Sequence, residues 1–180
     1  TQLWMQEDLR TTRYSGGDEI PFVTDSISWR NLTTPACCWY NNTPQGNGFG
    51  LIYNWYTIEV GNLCPTGWHV PSDSEFMILE RFLGMSDLES NNTGWRGTNQ
   101  GDQLKSTSTW YRPATGTNSS GFSALGEGYR LGKRGNFADF GIVGYWWSST
   151  LHWSDATLAL YRRLDNKESG VYRAGVNKAG

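Results

Sequence analysis

Residues 64–84, CPTGWHVPSDSEFMILERFLG, carry the start and stop of one helix in plain view. Pro71 precedes Ser72, and Ser72-x-x-Glu75 is a capping box in which each side chain satisfies a backbone N–H that a helix start leaves without a partner. Phe76, Leu79, Phe82 and Leu83 fall on one stripe, and Gly84 can end the helix in the left-handed region. The pattern predicts a helix over 73–83 with that stripe against a core. Composition says what the core is made of. Hydrophobic residues are only 37% of the chain, yet it holds 10 Trp, 9 Tyr and 7 Phe. Each large ring buries roughly 150–250 Å², so the interior is expected to be aromatic.

Elsewhere the periodicity changes. Leu51, Ile52, Trp55 and Tyr56 stand at helical spacing and predict a short helix, and a further helical turn is expected near Gln103–Lys105. Residues 3–14 read as strand or strand and turn. Late in the chain, TLALYRRL places Leu158, Leu160 and Leu164 on one face and Ala159, Tyr161 and Arg163 on the other. DNKESG is a turn and VYRAGV a return strand. With 22 Gly between these elements, the expectation is an α+β domain over residues 1–180: two short helices early, a twisted antiparallel sheet late, and long loops.

Several function classes drop out. Fifteen Lys plus Arg against 17 Asp plus Glu give a net charge of -2 with no basic stripe, so no nucleic-acid partner is expected. No apolar run approaches the ~18 residues of a membrane span. Cys37, Cys38 and Cys64 fit no zinc spacing, even with His69 and His152. They are read as buried thiols, with a disulfide from Cys64 to Cys37 or Cys38 as the alternative. Neither a Gly-x-Ser-x-Gly elbow nor a phosphate-cradling loop is present. His69 with Asp73 or Glu75 is the one acid/base set for an enzyme reading, and it lacks an accompanying nucleophile motif.

LWMQEDLRTTRY, IYNWYTIEVGNLCPTGWHVPSDSEF, GFSALGEGYR and GYWWSST together resemble the Fibrobacter succinogenes major paralogous domain, a family of secreted or surface-attached bacterial proteins. The resemblance implies a C-type-lectin-like or formylglycine-generating-enzyme-like fold and a secreted or cell-surface location. It also implies a strand before Thr1 and a last strand similar to GFSVRCVR after Gly180, so both ends are expected to be trimmed. A sheet without its last strand has an open edge, which makes an assembly module that takes up a strand from another chain the second functional reading. The adjacent cysteines depart from the oxidising pair of the formylglycine-generating enzymes, so that activity is not carried over.

What remains is recognition of a glycan or a protein. Strand alternation puts Tyr145 and Trp147 of GYWWSST on one face and Trp146 on the other. Trp146, Trp147 and Trp68 are read as structural. Aromatic and polar groups follow at His152, Trp153, Asp155, Tyr161, Arg163, Tyr172, Arg173 and Asn177, and these are the candidate ligand-binding residues. Rings stack on the apolar faces of sugars while Arg, Asp and Asn read their hydroxyls, and the same residue types dominate protein hot spots. Loops around 91–120 are a second wall. Trp153-Ser154-Asp155 echoes the Trp-Asn-Asp strand of calcium-dependent lectins, but their Glu-Pro-Asn or Gln-Pro-Asp loop has no counterpart, so the expectation is no metal or other cofactor, with a calcium ion as the alternative. In some lectin-like proteins the segment after a WWSS-type strand is a variable ligand-binding surface, and 150–179 holds that place.

Overall fold

The capping box is complete in the computed structural model, which describes residues 2–44 and 49–180. Ser72 Oγ accepts from the Glu75 N–H at 3.3 Å, and Glu75 Oε2 accepts from the Ser72 N–H at 2.7 Å. In chain order the elements are α1 (Ser26–Arg30), β1 (Cys37–Cys38), a 3-10 turn (Tyr40–Asn42), β2 (Ile52–Tyr53), α2 (Trp55–Glu59), α3 (Asp73–Phe82), α4 (Asp87–Asn91), β3 (Gly94–Arg96) and α5 (Gln100–Leu104). β4 (Tyr129–Arg130), β5 (Phe137–Ala138), β6 (Val143–His152), β7 (Asp155–Asp165) and β8 (Val171–Asn177) complete the chain, which is α+β.

The late strands form an antiparallel sheet in the order β3-β8-β7-β6. Two-stranded pairings β1-β2 and β4-β5 stand beside it. Short helices outnumber the two expected, because Asp25, Asn54 and Ser86 each cap a single helical turn or little more. Leu51 and Ile52 do not begin a helix: Ile52 lies in β2, and α2 starts only after the Asn54 cap. Residues 3–14 form no strand, and only an isolated bridge joins Arg13 to Glu19.

Two apolar clusters lie on opposite sides of the sheet, and the tryptophan doublet serves both. Trp147 packs on the cluster of Leu51, Trp55, Ile58, Leu63 and Ala159. Trp146 packs on that of Leu79, Leu104, Trp110, Leu164 and Val171. Each indole keeps a polar partner, as a half-buried Trp requires: Trp147 Nε1 donates to the Tyr53 carbonyl at 2.9 Å and Trp146 Nε1 to Asp8 Oδ1 at 3.2 Å. A third, smaller cluster closes around Trp29, whose ring lies 4.4 Å from the Arg130 guanidinium. Trp68, expected to be structural, is 41% exposed and joins none of these clusters. No disulfide forms; Cys37 and Cys38 are buried and Cys64 half-buried, all as free thiols.

The helix stripe holds only in part. Phe76 and Leu79 are buried, but Phe82 is 85% exposed, and the remaining buried positions of α3 are Asp73 and Glu80. Both carboxylates face the sheet because arginines stand there. Asp73 accepts from Arg162 at 2.7 Å and from Arg173 at 2.6 and 2.9 Å. Glu80 accepts two bonds from Arg96, both 2.8 Å, and one from Arg162 at 2.6 Å. Burial alone would raise the Asp73 carboxyl, but the hydrogen bonds and charges of Arg173 and Arg162 outweigh it and hold the group below the usual carboxylate range. The helix is thus fastened to three strands, β3, β7 and β8, by one ionic cluster.

Candidate functional site

Because side chains alternate along β7 and β8, the chain neighbours of Arg162 and Arg173 point away from the helix. One line of cross-strand partners on that outer face reads Trp95, Tyr172, Arg163, Tyr145, one residue from each of β3, β8, β7 and β6. Tyr161 and Trp147 form a second line beside it. The rings touch in sequence: Trp95 to Tyr172 at 5.2 Å between centroids, Tyr172 to Tyr161 at 6.2 Å, Tyr161 to Tyr145 at 5.3 Å. Tyr145 continues to Tyr129 of β4 at 4.9 Å.

Arg163 sits among them. Its guanidinium is 5.6 Å from the Trp95 ring and 5.8 Å from that of Tyr145, and Nη2 donates to Asp165 at 2.6 Å. Burial raises the hydroxyls of Tyr161, Tyr145 and Tyr129 above the ordinary tyrosine range, so all three are neutral hydrogen-bonding groups at physiological pH. Trp95 is 38% exposed, while Tyr172, Tyr161 and Tyr145 are half-buried. The result is a line of rings with one cation held among them, open at Trp95 and running into a cleft of about 780 Å³ whose wall includes Tyr161, Tyr145, Tyr129 and Trp147. It can stack a flat apolar face and hydrogen-bond the polar rim of whatever lies on it.

The eight residues singled out from sequence do not form one surface. Tyr161, Arg163 and Tyr172 belong to the aromatic face. Arg173 does not: it is buried on the helix side and committed to Asp73 and to the Asn91 and Asn92 carbonyls. His152 and Trp153, at the tip of the β6-β7 hairpin, fold onto Arg173's side as well. His152 lies against Gly175, where even a Cβ would come within 2.6 Å of its ring, and the Trp153 ring lies 5.3 Å from the Arg173 guanidinium. His152 and Trp153 stack at 4.1 Å, leaving Trp153 62% exposed. Asp155 turns back on Thr157, accepting from its hydroxyl at 2.6 Å and its N–H at 2.9 Å, and Asn177 accepts from the Ala179 N–H. Among the described residues no three His, Cys, Asp or Glu side chains gather as a metal site would need.

Trp95, Tyr145 and Tyr129 were not in that set. Trp95 comes from the 91–120 segment, as a second wall would, but through a three-residue strand too short to show a period. The acid/base pair does exist in space: His69 Nε2 and Glu75 Oε1 are 2.8 Å apart. Asp73, its other proposed partner, is taken by the arginines. The Ser72 N–H, its hydroxyl and His69 hold Glu75 below the usual carboxylate range, against burial, and the imidazole stands in solvent.

No helix among the described residues is long and apolar enough to cross a membrane. No curated protein and no solved structure matched the chain. The pattern of the Fibrobacter succinogenes major domain matches residues 1–176, and the chain belongs to that family.

Proposed function

We propose that this protein is a non-enzymatic recognition module that binds a glycan on the outer face of its sheet. The observation that carries this reading is the cross-strand line Trp95, Tyr172, Arg163, Tyr145. Rings from neighbouring strands offer faces on which a sugar ring can stack, and the neutral tyrosine hydroxyls, with Arg163 among the rings, offer hydrogen bonds for the hydroxyls of the ligand. The strands hold these side chains without a loop rearrangement, so little ordering is needed on binding. We read the frame, a long antiparallel sheet with an early helix fastened across it, as C-type-lectin-like, and the location as secreted or on a bacterial cell surface. His69 and Glu75 are read as part of the α3 cap. A pair open to water lacks the excluded environment that strengthens acid/base and electrostatic catalysis.

The test is a glycan array probed with and without EDTA. Binding is expected to survive EDTA and to fall by about tenfold or more, ~1.4 kcal/mol, in Tyr172→Ala and in Trp95→Ala. Trp153→Ala, on the other side of the sheet, should leave it unchanged. Binding lost in EDTA, or lost in Trp153→Ala and kept in Tyr172→Ala, would overturn this assignment.

A further inference from the structure

The aromatic line is open at Trp95, and the charge that stands beside that ring is Arg163. Its side chain is 30% exposed, and its guanidinium is under-used. Only Nη2 has a partner, in the single bond to Asp165. Nη1 makes no hydrogen bond among the described residues, and Nε is buried without one. Buried polar groups normally find partners, and the fully buried arginines do. Arg130, Arg162 and Arg173 each donate from all three nitrogens, and Arg96 donates from both Nη atoms.

Asp165 does not close that deficit. Its Oδ2 takes the Arg163 bond, its Oδ1 accepts from the Lys167 N–H at 3.0 Å, and its carbonyl accepts from Lys105 Nζ at 3.0 Å. Fastened in this way at the end of β7, with a side chain 12% exposed, the carboxylate meets one nitrogen of the guanidinium and leaves the rest. Lys105 is itself answered by Asp102 at 2.9 Å, so it places no further demand on Asp165.

The line also has a polarity along its length. At the end away from Trp95, the Tyr129 hydroxyl bonds the exposed Asp139, so that end favours hydroxyl groups and repels an anion. At the other end the guanidinium lies 5.6 Å from the Trp95 ring, with Tyr172 as its cross-strand neighbour. Apolar ring surface on both sides excludes water from a charge-assisted hydrogen bond made there and strengthens it.

We infer that the glycan bound by this face is acidic: it carries a hexuronic acid whose ring stacks at Trp95 and Tyr172 and whose carboxylate binds Nη1 of Arg163. The inference rests on the glycan reading of the face and names its ligand class. A hexuronic acid bears its carboxylate directly on the sugar ring, so a stacked ring presents it edge-on to a guanidinium standing among the aromatic rings. Nη1 brings two free N–H groups, and Arg meets planar carboxylates with short, directional bonds. The acidic sugar is thereby placed on β3, β8 and β7, at the end of the line away from Asp139.

The probes are hexuronic-acid tetrasaccharides and their carboxyl-reduced forms, which share every linkage and differ only in the carboxylate, titrated calorimetrically into the 180-residue chain. The acid form is expected to bind at least about tenfold more tightly, ~1.4 kcal/mol. Raising salt from about 0.05 to about 0.5 M should erode that ratio, because Arg163 is partly in solvent. In Arg163→Gln the ratio should fall to near one. Asp165→Asn removes the competing carboxylate while keeping its shape, and should raise the ratio. Equal binding of the two forms, with both weakened by Tyr172→Ala, would overturn the inference and leave the face a site for neutral glycans. A ratio that survives in Arg163→Gln would overturn it as well, by seating the carboxylate elsewhere. If neither form binds at millimolar concentration and neutral glycans fail too, the glycan reading of the face falls and takes the inference with it.

Discussion

Substituting Glu80 by Gln is expected to be among the most damaging near-isosteric changes in this molecule. The cluster under α3 holds three guanidinia and two carboxylates, three positive against two negative, a net of +1. The Glu80, Arg96 and Arg162 side chains are 1–2% exposed, so solvent does not screen them. Glu80→Gln leaves three guanidinia against one carboxylate, a net of +2, and two arginines lose charge-assisted bonds of 2.6 to 2.8 Å. Removing one partner of a buried ionic set costs about 3–5 kcal/mol, which in a chain of this length lowers the melting temperature by roughly 6–20 °C. Arg96→Met is the informative comparison. It leaves two guanidinia against two carboxylates, a net of zero, so it should cost less than Glu80→Gln despite deleting the bidentate pair. Urea melts of the two single variants and the double variant measure the difference directly. If Glu80→Gln costs less than about 1 kcal/mol, the value of an exposed pair, or if Arg96→Met costs more, the charge-balance reasoning is wrong.

Three further outcomes are expected. Glu127 has its carboxyl pushed from an ordinary 4.5 up to about 9. An acid that holds its proton more tightly when folded makes stability fall as pH rises through that window. Thermal melts of Glu127→Gln between pH 5 and 9 should therefore show a flatter decline and a melting temperature about 2–4 °C higher at pH 8, ~1 kcal/mol; an unchanged slope would count against it. Gly101→Ala, in an ordinary helix worth about 0.5–1 kcal/mol of stabilisation, should here cost about 1–3 kcal/mol, because the new Cβ would lie 2.1 Å from the Gly170 carbonyl oxygen. Chemical denaturation decides its sign. In a thiol titration only Cys64 should react in the folded protein. Cys37 and Cys38 are buried, and burial with the neighbouring Cys38 pushes the Cys37 thiol up to about 12. Three thiols should appear in denaturant.

The parts of the fold that sequence made legible are those decided within a few residues. The Ser72 cap, the alternation of Leu160 and Leu164 in β7, and the turn between Asp165 and Val171 all depend on local backbone chemistry, and all appear in the structure. The opposite faces of Trp146 and Trp147 followed from alternation alone. What escaped was set by partners far along the chain. Arg173 looks like a surface cation until Asp73, 100 residues earlier, is seen beneath it. Glu80 breaks no helical rule, yet it replaces Phe82 in the core because Arg162 and Arg96 meet it there. Trp95 enters the aromatic line only through its register with Tyr172. No short window of sequence contains a register.

The alternation along β7 and β8 also divides the cost of sequence change. At Arg162 or Arg173 a substitution disturbs a helix, two carboxylates and a second arginine at once, so those positions can change only in concert. At Tyr161, Arg163 or Tyr172, one residue away, it alters a ring or a charge on an outer face and leaves the backbone ladder and the helix anchor intact. A lineage of gene copies built on this frame can therefore vary one face by single steps, with the helix anchor and the aromatic line inherited on separate residues of the same strands.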